Sequence, residues 1–307
     1  MDIQELQAEL ANFLHDSTLT VEQKLLRRAE ALDFIAFLHD VLRMDHRHTT
    51  ARHPLQQQAA HLQRQLEAVN GKLFQQVRVG IQHGVLRGEP LRHYLNQFTD
   101  YSAASSDHVY MSYDGLDVLV DGIFHLKEAP APTLSPAVDM VHCEETPARV
   151  LLDLIDHTPF SATDVFYDLG SGLGQVVMLV HLLTGVKAKG VEVEPAFCTF
   201  ARHQAQTLGL SDVAFVNTDA RTADYSDGTI YFMFTPFRGQ LLQTVLARLQ
   251  QEAQHRPIRL CTFGSCTPHV ADQPWLRPAT PDPRHEYKLV VFESVPMASA
   301  NDDRVIR

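Results

Sequence analysis

The chain has 307 residues, 45% of them hydrophobic, which is enough for two modest domains or one large one with a sizeable core. Its formal net charge of -11 argues against a protein that grips nucleic-acid backbones, because that affinity comes from clustered Lys and Arg. The apolar runs reach about ten residues, short of the roughly 20 that cross a bilayer, and the amino terminus lacks a secretory signal pattern. We therefore expect a cytoplasmic protein without nucleic-acid or membrane partners.

The first 128 residues are predicted to be helical. The segment TVEQKLLRRAEALDFIAFLHDVLRM begins with a capping-box pattern at Thr20 and Gln23 and has apolar residues at helical spacing. Its predicted buried face consists of Val21, Leu25, Ala29, Leu32, Ala36 and Leu38. A shorter helix precedes it, and a long one weakened by Gly71 follows it. These helices need a partner for their apolar faces, so we interpret residues 1–128 as a helical domain.

Histidines and cysteines do not form a recognisable metal site. His46, His48 and His53 lie between two predicted helices, but no carboxylate or cysteine completes a ligand set, so we predict a polar loop and no metal. None of the four cysteines belongs to a CxxC pair, and a chain of this size needs no disulfide, so we expect reduced thiols. They are Cys143, Cys198, Cys261 and Cys266.

A proline-rich segment, APAPTLSPAV, follows the helical domain. Pro130, Pro132 and Pro136 favour an extended chain, so we assign residues 129–148 to a connector and residues 149–307 to a second domain.

In the second domain, strands alternate with helices. The predicted strands are VFYDL, VKAKGVEV, VAFVN, TIYFMF, IRLCTF and EYKLVVFESV. Helical segments between strands predict parallel pairing, with helices on both faces of a doubly wound α/β sheet. The last two strands are separated by a segment with five prolines and no room for a crossover helix, so we expect the final strand to be antiparallel.

The turn after the first strand, FYDLGSGLGQVV, has the composition of a nucleotide-binding loop. Gly170, Gly172 and Gly174 have the spacing G-x-G-x-G, whereas a dinucleotide fold has G-x-G-x-x-G and would place a glycine at Gln175. Asp168 at the strand end would repel a pyrophosphate but attract an ammonium group. S-adenosylmethionine carries an ammonium group and no phosphate, so the turn favours this cofactor over a dinucleotide.

Further carboxylates follow the next two strands. Glu192 stands 18 residues after Gly174, where an acidic side chain can accept hydrogen bonds from both ribose hydroxyls. Glu194 is its rival, but it lies past the end of the strand. Asp219, in VNTDAR, is placed to accept from an adenine amino group. Carboxylates at the ends of three successive strands therefore predict an S-adenosylmethionine site.

These motifs resemble those of the class I S-adenosylmethionine-dependent methyltransferases over roughly residues 145–295. DLGSGLGQVV is most similar to the nucleosomal histone-lysine methyltransferases that lack a SET domain, the disruptor-of-telomeric-silencing family, whose motif differs only at Leu173. The resemblance implies a seven-stranded, mostly parallel methyltransferase sheet with an antiparallel final strand, preceded by an α-helical domain.

The resemblance also implies roles for individual residues. Asp168 would hold the methionine amino group, Glu192 the ribose and Asp219 the adenine. Gln175 and Thr146 would support the methionine part of the cofactor.

On the acceptor side the chain departs from the family pattern. After the fourth strand, where related methyltransferases have an Asn or Asp, this chain has FTPF. We take Thr235, Phe237 and His142 as candidate acceptor-site or catalytic residues. A general base is needed only if the acceptor arrives protonated.

Two hypotheses remain open at this point. The first is a methyltransferase that acts by in-line displacement on a protein or peptide side chain or on a small metabolite. The second is a cofactor-binding module without turnover that acts through its helical domain. That domain is either a lid over the cofactor or a homodimerisation surface.

Overall fold

The computed structural model describes residues 3–44, 49–101, 113–135 and 137–295. The chain forms two compact units: a helical unit that ends at Lys127, and a second unit that holds the chain from Glu128 onward together with Arg87–Glu89. Three residues of the sequence predictions lie outside the described residues: His46, His48 and Pro136.

The described part of the chain before Lys127 contains five α-helices. They are α1 (Ile3–His15), α2 (Leu25–Met44), α3 (Thr49–Gln82), α4 (Gly88–Leu95) and α5 (Gly115–Phe124). α3 continues through Gly71, because its long buried face outweighs the weak helix propensity of one glycine. His53 also lies in α3 rather than in the predicted loop. No helix within the described residues is long and apolar enough to cross a membrane.

The predicted start and buried face of α2 were partly wrong. The helix begins at Leu25, and the predicted capping residues Thr20 and Gln23 lie in the turn that precedes it. Val21 and Ala36, which were assigned to the buried face, are exposed. The reason is that the true buried face includes a charged residue.

Arg28 is completely buried and closes this turn onto α3. Its guanidinium donates to the side-chain oxygen of Asn70 at 2.6 Å and to the carbonyl oxygens of Leu19, Val21 and Glu22. A buried cation is tolerated when hydrogen bonds occupy its donors, so the turn and α2 depend on this side chain.

We predict that Arg28→Ala destabilises the helical unit by about 3 kcal/mol, because it leaves buried carbonyl oxygens without donors. Urea unfolding of the full chain, followed by circular dichroism, measures this change. The neighbouring Arg27 is a matched control: it is partly exposed and pairs with Asp16 and Glu30, so Arg27→Ala should have a much smaller effect. Equal unfolding midpoints for the two variants would contradict the assigned role of Arg28.

The second unit is a seven-stranded sheet flanked by helices. Its strands are β1 (Val165–Leu169), β2 (Lys187–Glu192), β3 (Val213–Asn217), β4 (Ile230–Phe234), β5 (Arg259–Phe263), β6 (Leu276–Pro278) and β7 (Val290–Ser294). Its helices are α6 (Ala148–His157), α7 (Gln175–Thr184), α8 (Pro195–Thr207), α9 (Gly239–Ala253) and α10 (Thr267–Ala271).

The strand order is β3-β2-β1-β4-β5-β7-β6. β1 to β5 are parallel, and β7 lies antiparallel between β5 and β6. The predicted fold class, including the antiparallel final strand, is therefore confirmed. Leu169, Met233 and Leu260 share one buried cluster with Leu242 and Val245 of α9, which anchors the middle of the sheet.

The proline-rich segment before β7 holds more structure than expected. It contains the five-residue helix α10 and the three-residue strand β6, and β7 is shorter than the predicted final strand. β6 ends at Pro278 on the edge of the sheet, which is where a residue without a backbone N–H donor is tolerated.

Candidate active site

The topology places a crevice at the carboxyl end of β1. The strand order reverses there, because β1 pairs with β2 on one side and with β4 on the other. Ligands of open α/β sheets bind outside the carboxyl ends of the strands at such a point. Asp168, the glycine turn and Glu192 all lie at this edge.

The glycine turn has a backbone that side chains disfavour. Gly170, Gly172 and Gly174 have φ angles of +83°, +49° and +84°. A Cβ on Gly170 would lie 2.4 Å from Cβ of Pro236, and a Cβ on Gly172 would lie 2.6 Å from the sulfur of Cys143. Two other segments therefore pack against the turn at distances that glycine permits.

Glu192 joins this turn to the helix that follows β2. One carboxylate oxygen accepts the N–H of Gly172 at 2.9 Å, and the other accepts the N–H of Glu194 at 2.8 Å. The N–H of Gly170 also donates to the carbonyl oxygen of Val191. Glu192 stays partly exposed, and a carboxylate with two donors has lone pairs left for a ligand.

Glu194 has a different role. Its carboxylate caps α8 by accepting the N–H of Ala196, and it accepts three further hydrogen bonds from the N–H and hydroxyl of Thr133 and the N–H of Leu134. Burial opposes its ionisation, but these hydrogen bonds, led by that of Thr133, lower the pKa of Glu194 to about 2. With four donors and 5% of its surface exposed, Glu194 anchors the connector. Of the two rivals, Glu192 is the one with room for a ligand.

Asp168 is a buried carboxyl in the crevice. It is 4% exposed, and burial together with the charge of Glu192 raises the pKa of Asp168 from 3.8 to about 8. Burying a carboxylate without a cation is costly. The arrangement therefore favours a ligand that brings a positive charge.

Gln175 and Thr146 are brought together as expected for neighbours in one site. Both are buried, and the amide nitrogen of Gln175 donates to the carbonyl oxygen of Thr146 at 3.1 Å. This hydrogen bond ties the start of α7 to the segment before α6.

Asp219 is engaged within its own turn. Its carboxylate accepts the backbone N–H of Arg221 at 2.8 Å and forms a salt bridge with the guanidinium at 2.6 Å. The hydrogen bonds from Arg221 lower the pKa of Asp219. An adenine amino group would have to share this carboxylate with Arg221.

The FTPF segment is held by a second stretch of chain. Met140 and Phe237 form an antiparallel bridge, and the N–H of Val141 donates to the carbonyl oxygen of Pro236. His142, the next residue, is exposed. The pairing places His142 beside the loop after β4.

Thr235 and Phe237 do not present their side chains as the sequence analysis expected. Thr235 has a left-handed φ of +40°, and its hydroxyl donates to the carbonyl oxygen of Phe263 and accepts the N–H of Cys266. Phe237 is 7% exposed and belongs to the buried cluster around Met233. The hydroxyl is thus occupied, and the Phe237 ring is a core side chain.

Sequence reasoning missed Cys143, which packs against the turn. Cys143 is an exposed residue whose sulfur packs against Gly172. Partial loss of hydration at that sulfur, followed by the charges of Glu192, Glu145 and Asp168, raises the pKa of the Cys143 thiol to about 11. It is therefore protonated at neutral pH and a weak nucleophile. No spacing rule brings residue 143 to the turn, so the motif alone carries no signal for it. Within the described residues, no group of three or more His, Cys, Asp and Glu could hold a metal ion.

Comparison with known proteins gives a family match. Residues 136–221 match the family model described as "Histone methylation protein DOT1". That span includes the glycine turn, Glu192 and Asp219. A search of curated protein sequences gave no match.

Solved structures with a similar fold include several methyltransferases. The RNA methyltransferase from Salinibacter ruber in complex with S-adenosyl-L-homocysteine is 23% identical over 52% of this chain and 98% of its own, with a TM-score of 0.41. The SAM-dependent methyltransferase from Thiobacillus denitrificans in the same complex is 21% identical over 40% and 51%, with a TM-score of 0.32. A dimethyladenosine transferase from Plasmodium falciparum is 12% identical over 51% and 64%, with a TM-score of 0.38.

We predict that Asp168→Asn stabilises the ligand-free chain by more than about 1 kcal/mol at pH 8. The raised pKa means that folding takes up a proton between about pH 4 and pH 8, so the contribution of Asp168 to stability falls as the pH rises through that window. The advantage of the variant should therefore disappear towards pH 4. Thermal unfolding at several pH values measures it.

Asp164, just before β1, is the matched control with the opposite sign. Burial raises its pKa, but hydrogen bonds from Thr229, Ser161 and Arg259 outweigh this effect and leave the pKa lowered. Asp164→Asn should therefore lower stability at neutral pH. Destabilisation by Asp168→Asn at pH 8 would contradict the assignment of Asp168 as a strained carboxyl.

Proposed function

We propose that this chain, a class I S-adenosylmethionine-dependent methyltransferase that resembles the DOT1 family over residues 136–221, methylates a protein or peptide side chain or a small metabolite. The family match supports the enzyme class and the cofactor predicted from the sequence. The acceptor is the part that the proposal adds.

The observation that carries the proposal is the buried carboxyl of Asp168 at the point where the strand order reverses. Burial and the negative charge of Glu192 raise the pKa of Asp168, and no cation contributes to this shift. The ammonium group of the cofactor would supply that charge and form a charge-assisted hydrogen bond. Asp168 would then hold the methionine end of the cofactor.

The remaining cofactor contacts follow from the same edge of the sheet. Glu192 would accept from the ribose hydroxyls through its free lone pairs, and Asp219 would reach the adenine. Gln175 and Thr146 would line the methionine side. The turn glycines allow the backbone to approach the cofactor closely.

Methyl transfer from a sulfonium needs alignment more than activation. The protein has to hold a desolvated nucleophile about 3 Å from the methyl carbon, and positioning of this kind contributes roughly 7 to 11 kcal/mol. The segment 139–142 and the loop after β4 lie on the side of the crevice away from β2, which is where the acceptor would enter. His142 is placed there to accept a proton from an acceptor that arrives charged.

A protein or peptide acceptor is supported by the family match. The departure at FTPF sets this chain apart from enzymes that hold a planar amine with an Asn or Asp at that position. A small metabolite therefore remains a proposed acceptor, and separation of the acceptors by size distinguishes it from a protein or peptide.

The test uses the full chain with radiolabelled S-adenosylmethionine and a size-fractionated cell extract. We expect the label to move into one size class of acceptor, and Asp168→Asn to abolish the transfer. Thermal stabilisation by S-adenosylhomocysteine, compared with NADH, reports cofactor binding independently. Cofactor binding without any transfer of label would overturn the enzyme proposal in favour of a silent binding module.

We also predict that two neighbouring glutamates differ in their effect on cofactor binding. Glu192→Gln should weaken S-adenosylhomocysteine binding by about tenfold or more, because it removes the charge that accepts from the ribose. Glu194→Gln should lower the melting temperature but change cofactor affinity by less than about threefold, because its hydrogen bonds hold the connector. Calorimetric titration of both variants measures the affinities. If the Glu194 variant loses affinity and the Glu192 variant does not, the assignment of the two carboxylates is reversed.

A further inference from the structure

The strand register places an aromatic pair on the acceptor side of the crevice. Asp168 of β1 is level with Phe232 of β4, which is level with Cys261 of β5. Two residues further along, Phe234 is level with Phe263. Side chains two apart in a strand point to the same face, so both rings lie on the Asp168 face, one row closer to the carboxyl edge.

The two rings pack against each other. Their centroids are 5.1 Å apart with an interplanar angle of 44°. Phe263 is buried, whereas Phe234 is partly exposed and is the last residue of β4. Phe234 is also the first residue of FTPF, the position at which related enzymes have an Asn or Asp.

Two polar groups of the loop after β4 already form hydrogen bonds within the chain. The hydroxyl of Thr235 bonds to the carbonyl oxygen of Phe263 and the N–H of Cys266, and the carbonyl oxygen of Pro236 accepts from Val141. The loop after β4 therefore presents carbon atoms where an amide or carboxylate would present hydrogen-bonding groups.

We propose that Phe234 and Phe263 form an apolar wall that determines acceptor specificity, selecting an acceptor with an apolar, ring-sized group next to the nucleophilic atom. This inference rests on the proposed function, because it places the acceptor beside the methionine end of the cofactor. Packing on the wall removes water from the acceptor and orients its nucleophile towards the methyl group.

The test measures binding of two amine probes to the chain saturated with S-adenosylhomocysteine. Benzylamine carries a ring next to its nitrogen, and methylamine does not. We expect nuclear magnetic resonance titration to show benzylamine binding at least about tenfold more tightly than methylamine. Phe234→Ala and Phe234→Asn should remove that preference, and both should leave S-adenosylhomocysteine affinity within about twofold.

Phe160 provides a matched control. It is also partly exposed and also pairs with a buried phenylalanine, Phe166, at a centroid distance of 6.3 Å, but it precedes β1 at the other end of the strands. Phe160→Ala should leave the preference for benzylamine unchanged.

Four results would overturn the inference. Equal binding of the two amines shows that no apolar wall meets the acceptor. A preference that survives both Phe234 variants, or disappears equally in the Phe160 variant, shows that this pair does not set it. If S-adenosylhomocysteine does not bind the unaltered chain, the proposed cofactor site is wrong, and the inference about the acceptor, which rests on it, is wrong as well.

Discussion

The candidate site depends on the two hydrogen bonds that the carboxylate of Glu192 accepts. The glycines of the turn after β1 have left-handed backbone conformations. The N–H groups of such a turn need hydrogen-bond acceptors from elsewhere in the chain. Glu192 accepts one of them, from Gly172, and with its second oxygen accepts the N–H of Glu194 at the start of α8. A single side chain thereby fixes the turn and the following helix to each other, and Glu194 extends the network to Thr133 of the connector.

A second constraint comes from close packing around the same turn. Pro236 lies against Gly170, and Cys143 lies against Gly172, each too close for a side chain on the glycine. Since residues 139–141 also pair with residues 236–238, the two segments form one assembly around the turn. The glycine turn, the segment before α6 and the loop after β4 are consequently held together by the same few close contacts.

The fold was largely predictable because its signals are local and repeated. The alternation of strands and helices predicts a parallel sheet. The proline-rich segment before the last strand leaves no room for a crossover helix and therefore predicts that this strand is antiparallel. Arg28 shows where local signals fail: its burial depends on carbonyl groups and on Asn70, 42 residues away, which no helical periodicity reveals. The short strand β6 was missed for a related reason, since its three residues are stabilised by pairing with β7.

The candidate site also contains residues that the sequence identifies and residues whose roles depend on contacts with distant segments. Asp168, the glycines and Glu192 are recognisable because they belong to one motif and to strand ends, and their cofactor roles stay predictions. The sequence ranks Glu194 below Glu192 by its place past the end of the strand, but it does not reveal the role of Glu194 in holding the connector, which depends on Thr133 in a distant segment. Phe237, expected on the acceptor side, lies in the core because the strand ends at Phe234 and the left-handed Thr235 turns the chain back.

Under the proposed function, Asp168 and Phe234 would let one crevice serve two unlike ligands. The Asp168 carboxyl is held in an environment that penalises its charge, so it gains most from a ligand that arrives with a cation. One row further out, the surface changes from carboxylate to aromatic, and the Thr235 hydroxyl and the Pro236 carbonyl oxygen already form hydrogen bonds within the chain. A positive ligand is therefore favoured next to β1 and an apolar one next to β4. In methyl transfer to a neutral nucleophile the positive charge moves from the sulfonium to the acceptor atom, and the face of an aromatic ring attracts a cation without a fixed charge of its own.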